Sequence, residues 1–249
     1  MNNKTQKRNH YIPRFFLQNF CDDSNQIYTY DKLNKKSWFE KPSNAAIEKN
    51  LYCHNDNDII EQILSNKIES PAKCVLDNLV NHKTFPKSHE GREQLALFFA
   101  TLGLRSPAYI DHLNESLKIN HDFTLQYMLL LAIDIFVPLF YHKSWALMQA
   151  PEDCHFVLSD NSYNLYNPDS QFCIKNYQKI SEMQGDMVFF PISNQLTLAM
   201  ITNKECADQL FMCDVACVEG LNRMALRRSK RFLFASNKKS LFMQSHESE

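Results

Sequence analysis

Apolar residues recur at helical spacing from about residue 57 to 149, while strand-like alternation is confined to about 26–53 and 155–236. Strands at both ends with helices between them predict one α+β domain over residues 1–245: a predominantly helical middle, with N- and C-terminal strands forming a mixed or antiparallel sheet. The last residues, 246–249, read as a frayed tail. At 249 residues and 44% hydrophobic, the chain can bury a sizeable core.

In the middle, Ile59, Ile60, Ile63, Leu64 and Ile68 fall on one side of a helix running from Asn57 to about Val80, with Pro71 marking a break or kink. Ser88 opens the next helix, whose run of Leu95, Leu97, Phe98, Phe99 and Leu102 is apolar almost all round, as an interior helix requires. It should stop near Arg105, because the residue before a proline is biased away from helical geometry and Ser106-Pro107 follows. A further helix spans Ala108 to about Asn120, and Asp122 caps a long one that ends past Trp145.

On the strand side, Gln26–Tyr30 and Ser37–Glu40 make a hairpin about Asn34-Lys35-Lys36, with a short return strand at Leu51-Tyr52-Cys53. His155–Leu158, Asp186–Phe190, Leu196–Ile201 and Arg231–Phe234 are the later strands, and a final helix runs from about Lys204 to Arg228.

The eight cysteines include no Cys-x-x-Cys pair and read as free, mostly buried thiols. Cys213 and Cys217 share a helix face without a second pair to complete a zinc site. The polar, basic start Met1–Arg8 has no apolar signal region. Phe123–Phe140 carries Gln126, Asp134 and Pro138 and suits a buried core helix better than a membrane span. The expectation is therefore a cytoplasmic protein with no membrane partner. A formal net charge of −1 gives no global field toward nucleic acid, so any such binding must rest on a local patch.

Four glycines, Gly91, Gly103, Gly185 and Gly220, are too few and too scattered for a phosphate-cradling loop or a dinucleotide fingerprint. No Gly-x-Ser-x-Gly elbow is present either, which argues against an ordinary α/β-hydrolase.

The positive signals start at His10-Tyr11-Ile12-Pro13-Arg14, where a titratable ring and a fixed cation stand at the mouth of a helix anchored by Phe16, Leu17 and Phe20. Pro13 suits the first helical position, and a helix N-terminus favours anions. With Glu61, Glu69, Arg105 and Asp160, these residues would supply what phosphoester hydrolysis needs. His10 would move a proton, Arg14 and Arg105 would clamp charge, and Glu61 and Glu69 would hold a divalent metal such as Mg or Mn. Asp160, in Leu158-Ser159-Asp160-Asn161, stands at a strand end as catalytic base, metal ligand or the start of an Asx-turn.

Glu61 and Glu69 are two helical turns apart, roughly 12 Å, and cannot share one ion unaided. The alternative is structural: His10 and Arg14 brace the first helix, the two glutamates are solvated, and Arg105 pairs with a carboxylate. Arg223, Arg227 and Arg228, with Lys230 and Arg231 beside them, form a basic stretch that could track a nucleic-acid backbone or answer the macrodipole of the final helix. Lys204 and the N-terminal Lys4, Lys7 and Arg8 could extend it. Tyr163, Tyr166 and Tyr177 fall in a polar loop region, where they could stack on a base or pack the loop onto the body.

His10-x-x-Pro13-Arg14-x-x-Leu17-x-x-Phe20 is followed in order by Tyr28-x-Tyr30-Asp31, Ala45-Ala46-x-Glu48 with Leu51-Tyr52, Leu104-Arg105-Ser106-Pro107, Leu158-Ser159-Asp160-Asn161 and Phe190-Pro191-Ile192-Ser193. Over nearly its whole length the chain thereby resembles the bacterial proteins grouped as domain of unknown function 4238. The resemblance implies family membership and carries no activity with it. A second, shorter pattern, Arg105 followed by His112, resembles that of HEPN-type ribonucleases and implies metal-free attack by the RNA 2′-hydroxyl, although Pro107 interrupts the helix that should present both residues. The expectation is a hydrolase of a phosphate-containing substrate, nucleic acid foremost. The alternative is a non-catalytic nucleic-acid- or protein-binding module of a bacterial defence or toxin system.

Overall fold

The computed structural model describes residues 8–49, 51–52, 59–118, 121–166 and 187–242, and its architecture is α+β. β1 (Arg8–His10) leads through α1 (Arg14–Gln18) to the hairpin β2 (Ile27–Asp31) and β3 (Lys36–Glu40), and β4 (Ile47–Lys49) returns antiparallel onto β1. The helical middle comprises α2 (Ile59–Gln62), α3 (Ser70–His82), α4 (His89–Leu104), α5 (Pro107–Leu117), α6 (His121–Leu131) and α7 (Val137–His142). Then follow β5 (Ser144–Gln149), β6 (Leu158–Ser159), β7 (Asn164–Tyr166), β8 (Met187–Pro191), β9 (Leu196–Ile201), β10 (Gln209–Met212), α8 (Val215–Arg228), β11 (Phe232–Ala235) and α9 (Lys238–Phe242).

The strands are divided among separate sheets instead of sharing one. β11 pairs antiparallel with β2, placing Phe232 opposite Asp31, and with β6, so both ends of the chain meet in the order β3-β2-β11-β6. A mixed sheet, β10-β5-β9-β8-β7, is antiparallel except for the parallel pair β10–β5. β1 and β4 form a two-stranded ribbon.

As its all-round apolar pattern requires, α4 is the interior helix. Phe98 packs on Phe15 and Phe16 of the α1 helix with ring centroids 5.7 and 5.6 Å away, and Phe99 lies 4.7 Å from Phe190 of β8. Phe16, Leu17 and Phe20 are fully buried. At Gly103 the helix is bare because Tyr163 lies on it: an added Cβ would come within 2.7 Å of the Tyr163 ring. Tyr163 is thus a packing residue, Tyr166 lies in β7, and Tyr177 falls outside the described residues.

Pro71 and Pro138 do not break their helices. Each is preceded by a π-helical segment, Ile63–Glu69 and Ala132–Phe136, in which the residue before the proline, Ser70 or Val137, donates its N–H five residues back, to Ser65 or Ala132. A proline lacks the N–H for the normal bond and crowds the carbonyl four residues back, and a widened turn relieves both faults. The second widened turn lies within Phe123–His142, long and apolar enough by composition to cross a membrane, with mean hydropathy 1.9. Only 39% of that window is buried. Met128, Ala132, Phe136 and Phe140 face the core, whereas Phe123, Tyr127, Leu130 and Ile133 are exposed, so the helix expected to be buried is only partly so and its outer face is itself largely apolar.

Several boundaries differ from the expectation. The long helix ends at His142, before Trp145, because 144–149 is taken up as β5 between β9 and β10, where Trp145, Ala146 and Leu147 are buried on both faces. The final helix starts at Val215, not Lys204. Asp214 caps it by accepting the Cys217 N–H at 2.8 Å, and the preceding Gln209–Met212 pairs with β5. The strand expected at Leu51-Tyr52-Cys53 lies earlier, at Ile47–Lys49, and Cys53 is outside the described residues. Pro13 is the cap before α1, with extended ψ 141°, so Arg14 is the first helical residue. Of the described cysteines, all free, only Cys154 is buried; Cys74 is exposed, and Cys21, Cys206, Cys213 and Cys217 are half-buried.

Candidate functional site

The C-terminal end of α4 sets the site. Thr101 accepts the Arg105 N–H to close the helix, and Ser106 caps α5 by accepting the Tyr109 N–H, so the chain turns sharply between two helices. That turn sends the Arg105 side chain inward, where it is 1% exposed. Its Nη1 donates to Glu69 Oε1 at 2.6 Å. Glu69 ends the first π-helical segment, so the widened turn that accommodates Pro71 also sets the position of the carboxylate that Arg105 meets.

The β1–β4 pairing brings a second group to the same place. Asn9 donates from Nδ2 to Glu61 Oε2 at 3.0 Å, and its Oδ1 accepts the Tyr52 N–H. Tyr52, buried, donates from its hydroxyl to the His10 carbonyl at 3.2 Å. His10 feels the charges of Glu69 and Arg105 and hydrogen-bonds to the Pro42 backbone. His10, Tyr52, Glu69 and Arg105 therefore form one cluster, joined to Glu61 through Asn9.

Its electrostatics are consistent across the members. Desolvation lowers the His10 pKa below its ordinary value and outweighs the favourable Pro42 bond and the Glu69 charge, so the ring is neutral near pH 7. Burial pushes the Tyr52 hydroxyl well above the usual tyrosine range, which keeps it a donor. For Arg105, burial opposes the charge, but the adjacent Tyr52 oxygen and Glu69 raise its pKa above the ordinary guanidinium value. Within this cluster three buried side-chain nitrogens have no hydrogen-bond partner: His10 Nε2, Arg105 Nε and Arg105 Nη2; elsewhere among the described residues the same holds for single atoms of Asn161, Ser162, Asn164, Thr197 and Arg228. Buried polar groups are nearly always paired, and leaving one unmet costs about 1–3 kcal/mol, more when charged.

The other residues singled out in the sequence lie elsewhere. Asp160 accepts the backbone N–H groups of Lys230, Arg231 and Phe232 at 2.9, 2.6 and 2.8 Å, which fixes the chain leading into β11. Burial raises its pKa and those three bonds oppose the rise. Both oxygens are occupied in this long-range brace, which differs from the expected local Asx-turn, whose acceptor would serve an N–H two residues on. Arg14 is exposed on the five-residue α1, which is too short to focus a helix dipole.

The basic stretch is dispersed. Arg223 pairs loosely with Glu219 at 3.9 Å and Arg227 is exposed, but Arg228 lies over the Tyr163 ring at 5.3 Å, Lys230 contacts Asp111, and Arg231 pairs with Asp31 at 2.8 Å. That last pair holds the buried Asp31 carboxyl well below the usual range. His112 is hydrogen-bonded to Ser116, while Arg105 turns inward from the α4–α5 break, so the HEPN-like pattern is split as Pro107 implies. Among the described residues no three His, Cys, Asp or Glu side chains converge as metal ligands: Glu61 faces an amide and Glu69 a guanidinium.

Asn9 and Tyr52 have no local signature of a site. Asn9 borders the His10 motif and Tyr52 belongs to the Leu51-Tyr52 motif, yet their roles arise only when β4 returns beside β1.

The His10 motif and the Arg105 turn both fall within residues 8–239, over which the chain matches a family described as a protein of unknown function (DUF4238). The chain belongs to that family. No curated protein and no solved structure matches it. In this DUF4238 protein the motifs around His10, Tyr52 and Arg105, widely separated in sequence, converge on the buried cluster.

Proposed function

We propose that this DUF4238 protein hydrolyses a phosphate-containing substrate, with a nucleic-acid phosphodiester as the best-fitting class, at the His10–Tyr52–Glu69–Arg105 cluster. The carrying observation is Arg105, a fully buried cation whose charge is held by Glu69 at Nη1 and by the neighbouring Tyr52 hydroxyl, while Nε and Nη2 have no hydrogen-bond partner of good geometry. Those two N–H groups form the side-on fork of the guanidinium, which matches two oxygens of a phosphoryl group. Glu69 holds the opposite corner and so fixes the direction of the fork.

His10 completes the chemistry. Its contact with the Pro42 backbone falls to Nδ1, since Nε2 has no partner; Nδ1 then carries the proton and Nε2 presents a lone pair. A neutral imidazole so placed accepts the proton of an attacking water, and Arg105 stabilises the charge that builds on the phosphoryl oxygens. Tyr52 holds the His10 backbone in place. Glu69 and His10 are the partly exposed members of the cluster, so a substrate would approach from their side, and the inaccessible Arg105 fork would have to open to receive it.

The test is turnover of bis(4-nitrophenyl) phosphate and of mixed-sequence single-stranded RNA and DNA, in Mg2+, Mn2+ or EDTA. His10→Ala should lower the rate by about 100-fold or more with an unchanged thermal midpoint. Inorganic phosphate should raise the midpoint of the wild type and not of Arg105→Met. No turnover by wild type, or equal turnover by His10→Ala, overturns the reading.

A further inference from the structure

Away from that cluster, two thiols are held together where β10 hands over to α8. Cys213 follows the last residue of β10 and donates its N–H to Gln149 at 2.8 Å, which continues the pairing with β5. Asp214, extended at φ −87° and ψ 173°, caps α8 by accepting the Cys217 N–H at 2.8 Å. This cap folds the residue before the helix over its first turn, and the two Sγ atoms lie 3.5 Å apart. Both cysteines are half-buried and free.

We propose that Cys213 and Cys217 form an oxidisable dithiol, closed by hydrogen peroxide into a disulfide that staples the end of β10 to the first turn of α8. A disulfide needs about 2.04 Å between sulfurs, so each must move by only about 0.7 Å, within reach of side-chain rotation. Cys213 stands outside the helix, so the pair escapes the wider separation of residues four apart on a regular helical face.

The roles follow from position. Cys217 is the third residue of the 14-residue α8, and Cys213 stands before its cap. Burial and the neighbouring Cys217 sulfur push the Cys213 thiol up to about 12. Cys213 is therefore the harder of the two to ionise, which leaves Cys217 as the attacking sulfur and Cys213 as the resolving thiol. The Cys217 sulfur attacks one peroxide oxygen, the O–O bond breaks, and hydroxide leaves as water, giving a sulfenic acid. That step removes the negative charge beside Cys213, which then loses its proton and displaces the sulfenic oxygen as a second water. Two thiols and one peroxide give one disulfide and two waters.

Native full-length protein treated with a small excess of hydrogen peroxide, then alkylated and mapped by peptide mass, tests this directly. The expected result is a Cys213–Cys217 cross-link, with both positions losing alkylation together and several-fold faster than half-buried Cys21 and Cys206. In Cys213→Ser, a sulfenic acid at Cys217 should become trappable by dimedone; in Cys217→Ser, Cys213 should react several-fold more slowly. Unchanged alkylation of both thiols overturns the proposal, as does a cross-link to Cys154. Protection of both thiols by Zn2+ with no cross-link under peroxide also overturns it, in favour of a metal-binding pair. The wild-type map requires no variant to fold.

Discussion

The two ends of α4 each carry an inward-turned arginine, and the two differ in one respect. Arg92, near the start, donates from Nε to the Tyr141 carbonyl at 3.0 Å and from Nη2 to the Lys143 carbonyl at 2.6 Å. It also lies over the Trp145 ring at 4.3 Å. It thereby caps the end of α7, where unpaired carbonyls and the helix dipole both favour a cation. Arg105, about 20 Å further along the helix, is more deeply buried, is held by Glu69 and Tyr52, and has no hydrogen-bond partner at Nε or Nη2. A cavity of about 600 Å³ opens beside Arg92, lined by Phe85, Pro86, His89, Tyr141 and Asp208 among others. Space alone would place a site there. The proposed site is at the other end, where Arg105 Nε and Nη2 have no hydrogen-bond partner, whereas the Arg92 fork is already used in holding the fold.

The strongest way to break this contrast is Arg105→Met combined with Glu69→Gln, which removes both charges and leaves similar volume. Turnover of the phosphodiester probe should fall by about 100- to 1,000-fold, while stability in urea stays within about 1 kcal/mol of wild type, since a buried ion pair is often replaceable by apolar packing. A stability loss as large as that of the next variant would make Arg105 a structural residue. Arg92→Met should cost about 3 kcal/mol, from two charge-assisted bonds and a ring contact, and leave turnover per folded molecule unchanged. Asp160→Asn should cost about 2 kcal/mol, because an amide presents N–H groups to the donors that the carboxylate accepts, again with turnover retained. That result would fix Asp160 as a brace.

The smallest expected effect is in pH. Because burial lowers the folded His10 pKa from 6.5, the unfolded chain takes up the proton first as pH falls. The stability contributed by the neutral ring is complete above about pH 6.5 and is lost as pH drops through the lower folded value. Stability measured across that window should fall toward acid in wild type and fall less in His10→Ala. His155 is shifted in the same direction by its own burial and retains part of the slope. The acid limb of turnover should likewise lie below pH 6.5; a limb above it would mean that His10 is not the base.

Much of this frame is legible residue by residue. The all-round apolar run of α4, the Ser88 cap, the stop ahead of Pro107 and the hairpin about Lys35 all follow from local chemistry, and each is present. The expectation fails at segments that suit two states. Ser144–Gln149, rich in Leu, Met, Ala and Gln, has helical propensity, yet pairing on both sides makes it a strand. Gln209–Met212 likewise reads as part of the final helix, since its partner β5 lies some sixty residues earlier.

For the site, the motifs at His10 and Arg105 were visible as chemistry-capable residues, and Glu69 as a carboxylate on the right helix. Their convergence was not visible, nor was the part played by Asn9 and Tyr52, because β4 had to return to β1 and the Pro71 turn had to widen. The sequence by itself determined the α+β class, the buried helix at its centre and where that helix ends, since these depend on periodicity, capping and proline sterics over a few residues. Only the tertiary structure decided which polar groups are satisfied. Whether an N–H finds an acceptor depends on every chain segment around it, and that makes Arg92 a brace and leaves Arg105 open.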